Sequence, residues 1–138
     1  MSAWWPEPVR AAVARHLEAA YPFEGCGVIL QDTVGGGFRV RPLRNAASHP
    51  KDAYAFAPEE WLAVCIEAEV HAERVVCVFH SHVDAPATFS GEDLLRAAPD
   101  GHPLLPDVSY LIGSVRGGCV HYVSEYEWRS GRFVIRTL

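Results

Sequence analysis

Apolar and polar positions along the chain recur with two different periods, which together predict three helices and six strands. Val9, Val13 and Leu17 recur every four residues, the spacing of one face of a helix. Apolar runs with a period of two, or without polar interruption, predict strands instead. In chain order, the predicted elements are helix 6–22, strands 26–32 and 38–45, helix 58–73, strand 75–79, helix 90–98, and strands 108–115, 118–128 and 132–138.

The order of these helices and strands indicates one α/β domain over residues 1–138, with a mixed sheet flanked by helices. The run 75–79 is rich in β-branched residues, so this strand is expected to be covered on both faces. The second helix is predicted to bury a single apolar stripe. Its members are Trp61, Leu62, Cys65, Ala68 and Ala72.

Composition narrows the possible functions. Apolar residues make up 49% of the chain, enough for a folded core, and the formal charge is −5 without any run of Lys or Arg. This balance argues against a nucleic-acid partner. No secretory signal and no membrane-spanning run is evident, so we expect a cytoplasmic protein with no membrane partner. The cysteines form no Cys-x-x-Cys pair, and Cys65 and Cys77 are predicted to be small core residues.

The stretch VCVFHSHVDAPATFSGED holds the candidate chemistry. Side chains two residues apart on a strand point to one side, so His80 and His82 can offer two imidazoles to one metal while Ser81 turns away. Asp93 follows in the first turn of the next helix and can supply a third ligand. Two histidines and one carboxylate leave the fourth tetrahedral position of a zinc ion to water, as in a catalytic site. Ser90 can donate a hydrogen bond to a developing oxyanion, and a carboxylate on a neighbouring loop should act as the base.

Simpler interpretations remain open for each of these features. The histidines can be polar residues at the end of a buried strand, and Ser90 and Asp93 can form an N-terminal helix cap. Two other classes of metal-dependent hydrolase do not fit. A metal-dependent barrel hydrolase needs about 250 residues, and a zinc nucleobase deaminase needs His-x-Glu and Pro-Cys-x-x-Cys.

The spacing His-Ser-His, seven residues, Ser, two residues, Asp resembles the metal motif of the JAMM/MPN+ metalloprotease family. PFEGCGVIL resembles the glutamate segment of its small bacterial members, and NAASHPKDAYAFAPEEW and DVSYLIGSV extend the resemblance over about residues 10 to 125. The resemblance implies an MPN/JAB1-type, cytidine-deaminase-like fold with a curved mixed sheet. It also implies that Glu24 moves the proton of the attacking water, that Ser90 steadies the oxyanion, and that zinc is bound by His80, His82 and Asp93.

Two positions depart from the pattern of the family. Val83 and Phe89 stand where many members have proline, which puts the rigidity of the intervening loop in question. His102, in a long loop, is predicted to be exposed and not a fourth ligand, and Cys26 is predicted to be a buried small residue.

By resemblance, the function is hydrolysis of an amide or isopeptide bond after the Gly-Gly tail of a ubiquitin-like or sulfur-carrier protein. An extended tail could pair with a strand edge, with residues 83–89 and the Phe38 hairpin as candidate groove walls. Two alternatives stay open: a non-catalytic MPN-like scaffold that binds a partner, and a hydrolase of small peptide conjugates in a biosynthetic pathway.

Overall fold

The computed structural model of the chain describes residues 5–136 and confirms a single α/β architecture. The predicted elements are all found, in the predicted order. They are α1 (Glu7–Ala20), β1 (Cys26–Asp32), β2 (Phe38–Leu43), α2 (Pro58–Val70), β3 (Glu73–Val83), α3 (Gly91–Ala97), β4 (Ser109–Arg116), β5 (Cys119–Arg129) and β6 (Arg132–Ile135). The last two residues of the predicted final strand, 137–138, lie outside the described residues.

The six strands form one mixed sheet in the order β2-β1-β3-β4-β5-β6. β3 and β4 are parallel, since α3 and the loop after it return the chain to the starting edge of the sheet. The other four neighbouring pairs are antiparallel. β3 is therefore a central strand whose carboxyl end leads directly into the segment before α3.

Two apolar cores cover the two faces of the sheet. α1 packs on one face, where Leu17 and Phe79 are fully buried in the same cluster. α2 and α3 cover the other face, where Val64 of α2 and Val78 of β3 belong to the second cluster. Side chains alternate along β3, so His80 points to the same face as Val78, between the sheet and the segments around α2 and α3.

The predicted stripe of α2 is wrong at three positions, one of which, Ala72, lies beyond the end of the helix and is exposed. Leu62 is 60% exposed and Cys65 is also exposed, whereas Val64 is fully buried. Trp61 and Ala68 of the predicted stripe do pack against the core. Because apolar residues surround nearly the whole of this helix, its period did not define one buried face. The prediction for Cys77 is confirmed, since its side chain is fully buried.

The strand with the histidines is longer than predicted. β3 begins at Glu73, because α2 ends three residues earlier, at Val70, and it extends past the apolar run to Val83. Both histidines therefore lie within regular backbone pairing and not in a loop. Among residues 5–136, no helix is both long enough and apolar enough to cross a bilayer.

We expect Gly27→Ala to destabilise the fold by about 2–3 kcal/mol, because overpacking at a rigid contact costs this much. A Cβ at this position would lie 2.5 Å from the Phe79 ring and 2.6 Å from the main-chain oxygen of Arg41. Urea denaturation followed by circular dichroism measures the change. Gly37→Ala is the matched control, since its Cβ would meet no atom within 4 Å; equal stability of the two variants would contradict this account of the β1–β3 contact.

Candidate metal centre

Three side chains from β3 and α3 converge as their spacing predicted. The Nε2 atoms of His80 and His82 lie 3.3 Å apart. Each also lies close to one carboxylate oxygen of Asp93, at 3.1 Å from Oδ1 for His80 and 3.2 Å from Oδ2 for His82. One ligand atom from each residue lies within 4.8 Å of the others, so this group can hold one metal ion.

Asp93 is oriented by the N-terminal cap of α3. The Ser90 hydroxyl accepts a hydrogen bond from the Asp93 N–H at 3.1 Å, and Asp93 Oδ2 accepts one from the Ser90 N–H at 2.9 Å. This reciprocal pair is a capping box. The cap interpretation and the metal interpretation are therefore not exclusive, because the cap aims the carboxylate at the two imidazoles.

Two different contacts fix the imidazole rings. His82 Nδ1 lies 2.8 Å from the main-chain oxygen of Pro86, to which it can only donate. The ring of His80 is stacked on Tyr54, with 4.2 Å between ring centroids and 24° between planes. His80 Nδ1 has no hydrogen-bond partner within the described part of the chain, so stacking and packing hold this ring.

Burial and hydrogen bonding set the protonation of the three groups. Burial lowers the pKa of His80, which favours a neutral ring. Burial opposes the negative charge of Asp93, but hydrogen bonds with His80 and His82 hold the pKa of this carboxyl well below its ordinary value. Burial also lowers the pKa of His82, but the hydrogen bonds to Asp93 and Pro86 more than offset it and leave the pKa raised. The carboxylate is thus ionised, the form that binds a cation.

Glu24 reaches the same region through the pairing of β1 with β3. Cys26 pairs with His80. The main-chain oxygen of the preceding residue, Gly25, accepts from the Ser81 N–H at 3.0 Å, and the Gly25 N–H donates to the Ser81 hydroxyl at 2.8 Å. Continuing this register places Glu24 opposite His82, and directly opposed residues of an antiparallel pair point to the same side. Ser81 is fully buried and turned away from the imidazoles, as predicted.

The Glu24 side chain is only 6% exposed, and burial raises its pKa from 4.5 to about 8. The charge on His82 lowers this pKa, while the charges on Asp93, Glu92 and Asp52 raise it. The Glu24 carboxyl is therefore close enough to His82 and Asp93 for their charges to act on it. Without a cation nearby, the Glu24 carboxyl is held largely as the neutral acid at neutral pH.

Hydrogen bonds and ring packing hold the segment 83–89, although it lacks both prolines. Asp84 accepts a hydrogen bond from the Tyr21 hydroxyl at 2.8 Å. Phe89, at one of the two departing positions, joins an aromatic cluster with its ring centroid 4.7 Å from that of Phe133. The loop is therefore anchored at both ends by contacts that the sequence pattern did not indicate.

The hairpin at Phe38 does not line the site, and that prediction is wrong. Phe38 pairs with Gln31, five residues along β1 from Cys26, which is roughly 17 Å at the rise of a strand. Its ring packs edge-on against Trp5 on the opposite face, with 5.2 Å between centroids. The alternation of apolar and polar residues predicted this strand correctly, but it does not indicate which end of the strand lies near the site.

Two minor predictions are confirmed, and one contributor was missed. His102 is exposed, and Cys26 is fully buried with its pKa raised to about 12 by burial. Tyr54 was not singled out, although it packs directly on a metal-binding candidate. Two aromatic residues close together after a long polar loop, Tyr54 and Phe56, were the feature of the sequence that could have indicated a packing role.

A family model described as prokaryotic homologs of the JAB domain matches residues 6–133. The chain belongs to the prokaryotic JAB family. This membership confirms the resemblance found in the motif and covers nearly all of the chain.

Two curated relatives of this JAB chain are informative. Tail tip assembly protein K of Escherichia phage N15 is 36% identical over 107 residues, which are 76% of this chain and 40% of that protein. The desampylase of Pyrococcus furiosus is 41% identical over 56 residues, 41% of this chain and 39% of that protein. The matched part thus spans about two fifths of the length of each relative.

Solved structures share the fold. A protein of Desulfitobacterium hafniense aligns with a TM-score of 0.73 and 24% identity, over 94% of this chain and 86% of that one. A protein of Salinibacter ruber aligns with a TM-score of 0.64 and 27% identity, over 97% and 88%. The arrangement of helices around the mixed sheet is therefore an established architecture.

Glu24→Gln should stabilise the metal-free protein, and increasingly so as pH rises. The folded-state pKa of Glu24 is raised, so the folded protein favours the neutral acid. This contribution to the free energy of unfolding is fully present below pH 4.5 and is lost as pH rises to about 8. Glutamine stays neutral and avoids this loss, which we expect to reach roughly 2–4 kcal/mol by pH 9. Chemical denaturation of chelator-treated protein at pH 5, 7 and 9 measures it.

The matched control is Glu69→Gln, an exposed glutamate on α2. Its free energy of unfolding should differ from that of the wild type by a small amount with little dependence on pH. A Glu24→Gln difference that does not grow with pH would contradict the buried, charge-facing environment of Glu24.

Proposed function

We propose that this chain is a zinc-dependent metallopeptidase that hydrolyses an amide or isopeptide bond. The observation that supports the proposal most is the convergence of His80, His82 and Asp93 beside the buried carboxyl of Glu24. Two imidazoles and one carboxylate are the ligand set of a catalytic zinc site with an open position. A base outside that set is what hydrolysis further requires.

The donor atoms suit zinc. Because His82 Nδ1 donates to Pro86, the neutral ring that binds a metal carries its lone pair on Nε2, the atom that lies beside Asp93. His80 favours the neutral form and also directs Nε2 at the carboxylate. We assign His80, His82 and Asp93 as the zinc ligands. When bound, zinc would supply Lewis-acid activation of a water molecule and of the scissile carbonyl.

Glu24 and Ser90 have distinct roles in the proposed reaction. Glu24 takes a proton from the attacking water and passes it to the leaving amine, a role that its buried position outside the ligand set allows. The Ser90 hydroxyl accepts the cap hydrogen bond, so its own proton is available to the developing oxyanion. The cap holds this donor beside Asp93.

The substrate we favour is the Gly-Gly tail of a ubiquitin-like or sulfur-carrier protein. The partial similarity to the desampylase and the resemblance to small bacterial JAMM members support this class. A tail without side chains can extend beside residues 83–89 and reach a narrow centre. The four unpaired cysteines suit a reducing cytoplasm.

A hydrolase of short peptides or conjugates is the second candidate. The desampylase similarity covers only 41% of this chain, so this candidate rests on the chemistry of the site and not on a relative. The chemistry would be the same, and only the segment after the scissile bond would differ. A non-catalytic scaffold is less favoured, because all five positions of the motif are present and three of them converge.

Purified protein should contain about one zinc per chain, and Glu24→Gln should keep the metal while losing nearly all turnover. Glu24 is outside the ligand set, so its loss removes the base and not the ion. Metal content is measured by plasma mass spectrometry, and turnover by mass spectrometry of a ubiquitin-fold carrier with residues added after Gly-Gly. Short peptides assayed in parallel distinguish the second candidate.

Two outcomes would count against the assignment. A folded wild type that neither retains zinc nor regains it on addition would exclude the metal centre. Full turnover by Glu24→Gln would remove Glu24 from the mechanism.

Ser90→Gly should lower kcat by roughly 10²–10³, as expected for the loss of one oxyanion donor, with zinc content unchanged. Glycine is tolerated at an N-cap at a cost of a few tenths of a kcal/mol, so this variant separates catalysis from capping. Ser90→Ala, which loses both roles, should also lower the free energy of unfolding by about 1 kcal/mol. Comparable kcat values for wild type and Ser90→Gly would show that the hydroxyl serves the cap alone.

A further inference from the structure

Asn45 is the only asparagine of the chain, and its side chain lies at the junction of two segments beside the metal centre. Its Nδ2 donates to the main-chain oxygen of Glu24 at 3.0 Å and to that of Ala53 at 2.9 Å. Its Oδ1 accepts from the N–H groups of Ala47 at 3.0 Å and Ala55 at 3.2 Å. With a longer contact from Nδ2 to the main-chain oxygen of Pro50 at 3.4 Å, one amide is hydrogen bonded to five separate peptide groups.

The first of these segments holds Glu24. Its N–H donates to the main-chain oxygen of Pro50 at 2.7 Å, and its main-chain oxygen accepts from Asn45. The next residue, Gly25, is hydrogen bonded to Ser81. The peptide groups on both sides of the Glu24 side chain are thus fixed. Of the three contacts, the bond from Asn45 is the one donated by a side chain that lies outside the sheet.

The second segment holds Tyr54. Asn45 binds the peptide groups of both neighbours of this residue, the oxygen of Ala53 and the N–H of Ala55. Tyr54 is 4% exposed and stacks on His80. The same amide that holds the backbone of the base therefore also sets the position of the ring against which a metal-binding imidazole lies.

We propose that Asn45 is a positioning residue that holds Glu24 at the distance and angle needed for proton transfer and keeps Tyr54 packed on His80. The effect on proton transfer rests on the proposed function. The effect on the positions of the Glu24 and Tyr54 segments rests on the hydrogen bonds alone. No other side chain of similar size fits, because the position requires two donors and an acceptor on a short stem.

Asn45→Asp tests the proposal with a near-isosteric change. The carboxylate keeps the two acceptor contacts to Ala47 and Ala55, but loses every bond that Nδ2 donates and places an oxygen against the carbonyl of Glu24. On a carrier extended after Gly-Gly, kcat should fall about 30- to 100-fold, since small misplacements of a catalytic group have this effect. KM should stay within about threefold and zinc content should be unchanged.

A double-mutant cycle shows whether Asn45 acts through Glu24. In the Glu24→Gln background, adding Asn45→Asp should change the residual rate less than about twofold, because there is no base left to position. The same fold-loss in both backgrounds would overturn the proposal. Gln31→Glu is the matched control, an amide that donates to a main-chain oxygen at the far end of β1, and its kcat should equal that of the wild type.

Amide hydrogen exchange gives a readout that does not depend on turnover. In Asn45→Asp, exchange at the amides of Glu24, Gly25 and Ala53, which lie in the segments that lose the donated bonds, should accelerate at least tenfold, whereas Leu111 in the core strand β4 should be unchanged. Uniform acceleration, Leu111 included, would assign Asn45 a merely global role. If the wild type hydrolyses no carrier or peptide, the proposed function fails, and selective exchange still decides whether Asn45 positions the two segments.

Discussion

The register between β1 and β3 is the constraint on which the site depends. Pairing of Cys26 with His80 and the hydrogen bonds between Gly25 and Ser81 bring Glu24 to the end of β3 that carries His82. A slip by one residue would turn the glutamate and the imidazoles to opposite faces of the sheet. Gly27 protects this register, because the close approach of Phe79 leaves no room for a side chain there.

Local spacing made much of the site predictable. His80 and His82 share one face through the period of a strand, and Ser90 and Asp93 meet through the geometry of a helix cap. The order of elements likewise followed from periodicity, because long apolar patterns in a small domain leave few arrangements of the sheet. Glu24 could be assigned only through the family resemblance, since its partner lies more than fifty residues away in sequence.

Contacts that depend on tertiary packing could not be predicted. Tyr54 and Asn45 act through segments brought together by the sheet, and no period in the sequence indicates such encounters. The buried face of α2 was uncertain for a different reason: apolar residues nearly surround it, and Leu62 is exposed while Val64 is buried. The placement of Phe38 failed because strand pairing determines which end of a hairpin lies near a site.

α3 has seven residues, fewer than an isolated helix needs to persist in water. Its first turn depends on the same carboxylate that would bind the ion, since Asp93 Oδ2 serves the Ser90 N–H and faces His82. Coordination and local folding are therefore thermodynamically linked, so occupancy of the centre would tighten the start of this helix. A chelating agent would then act as a selective denaturant of one short element while the rest of the domain stays intact.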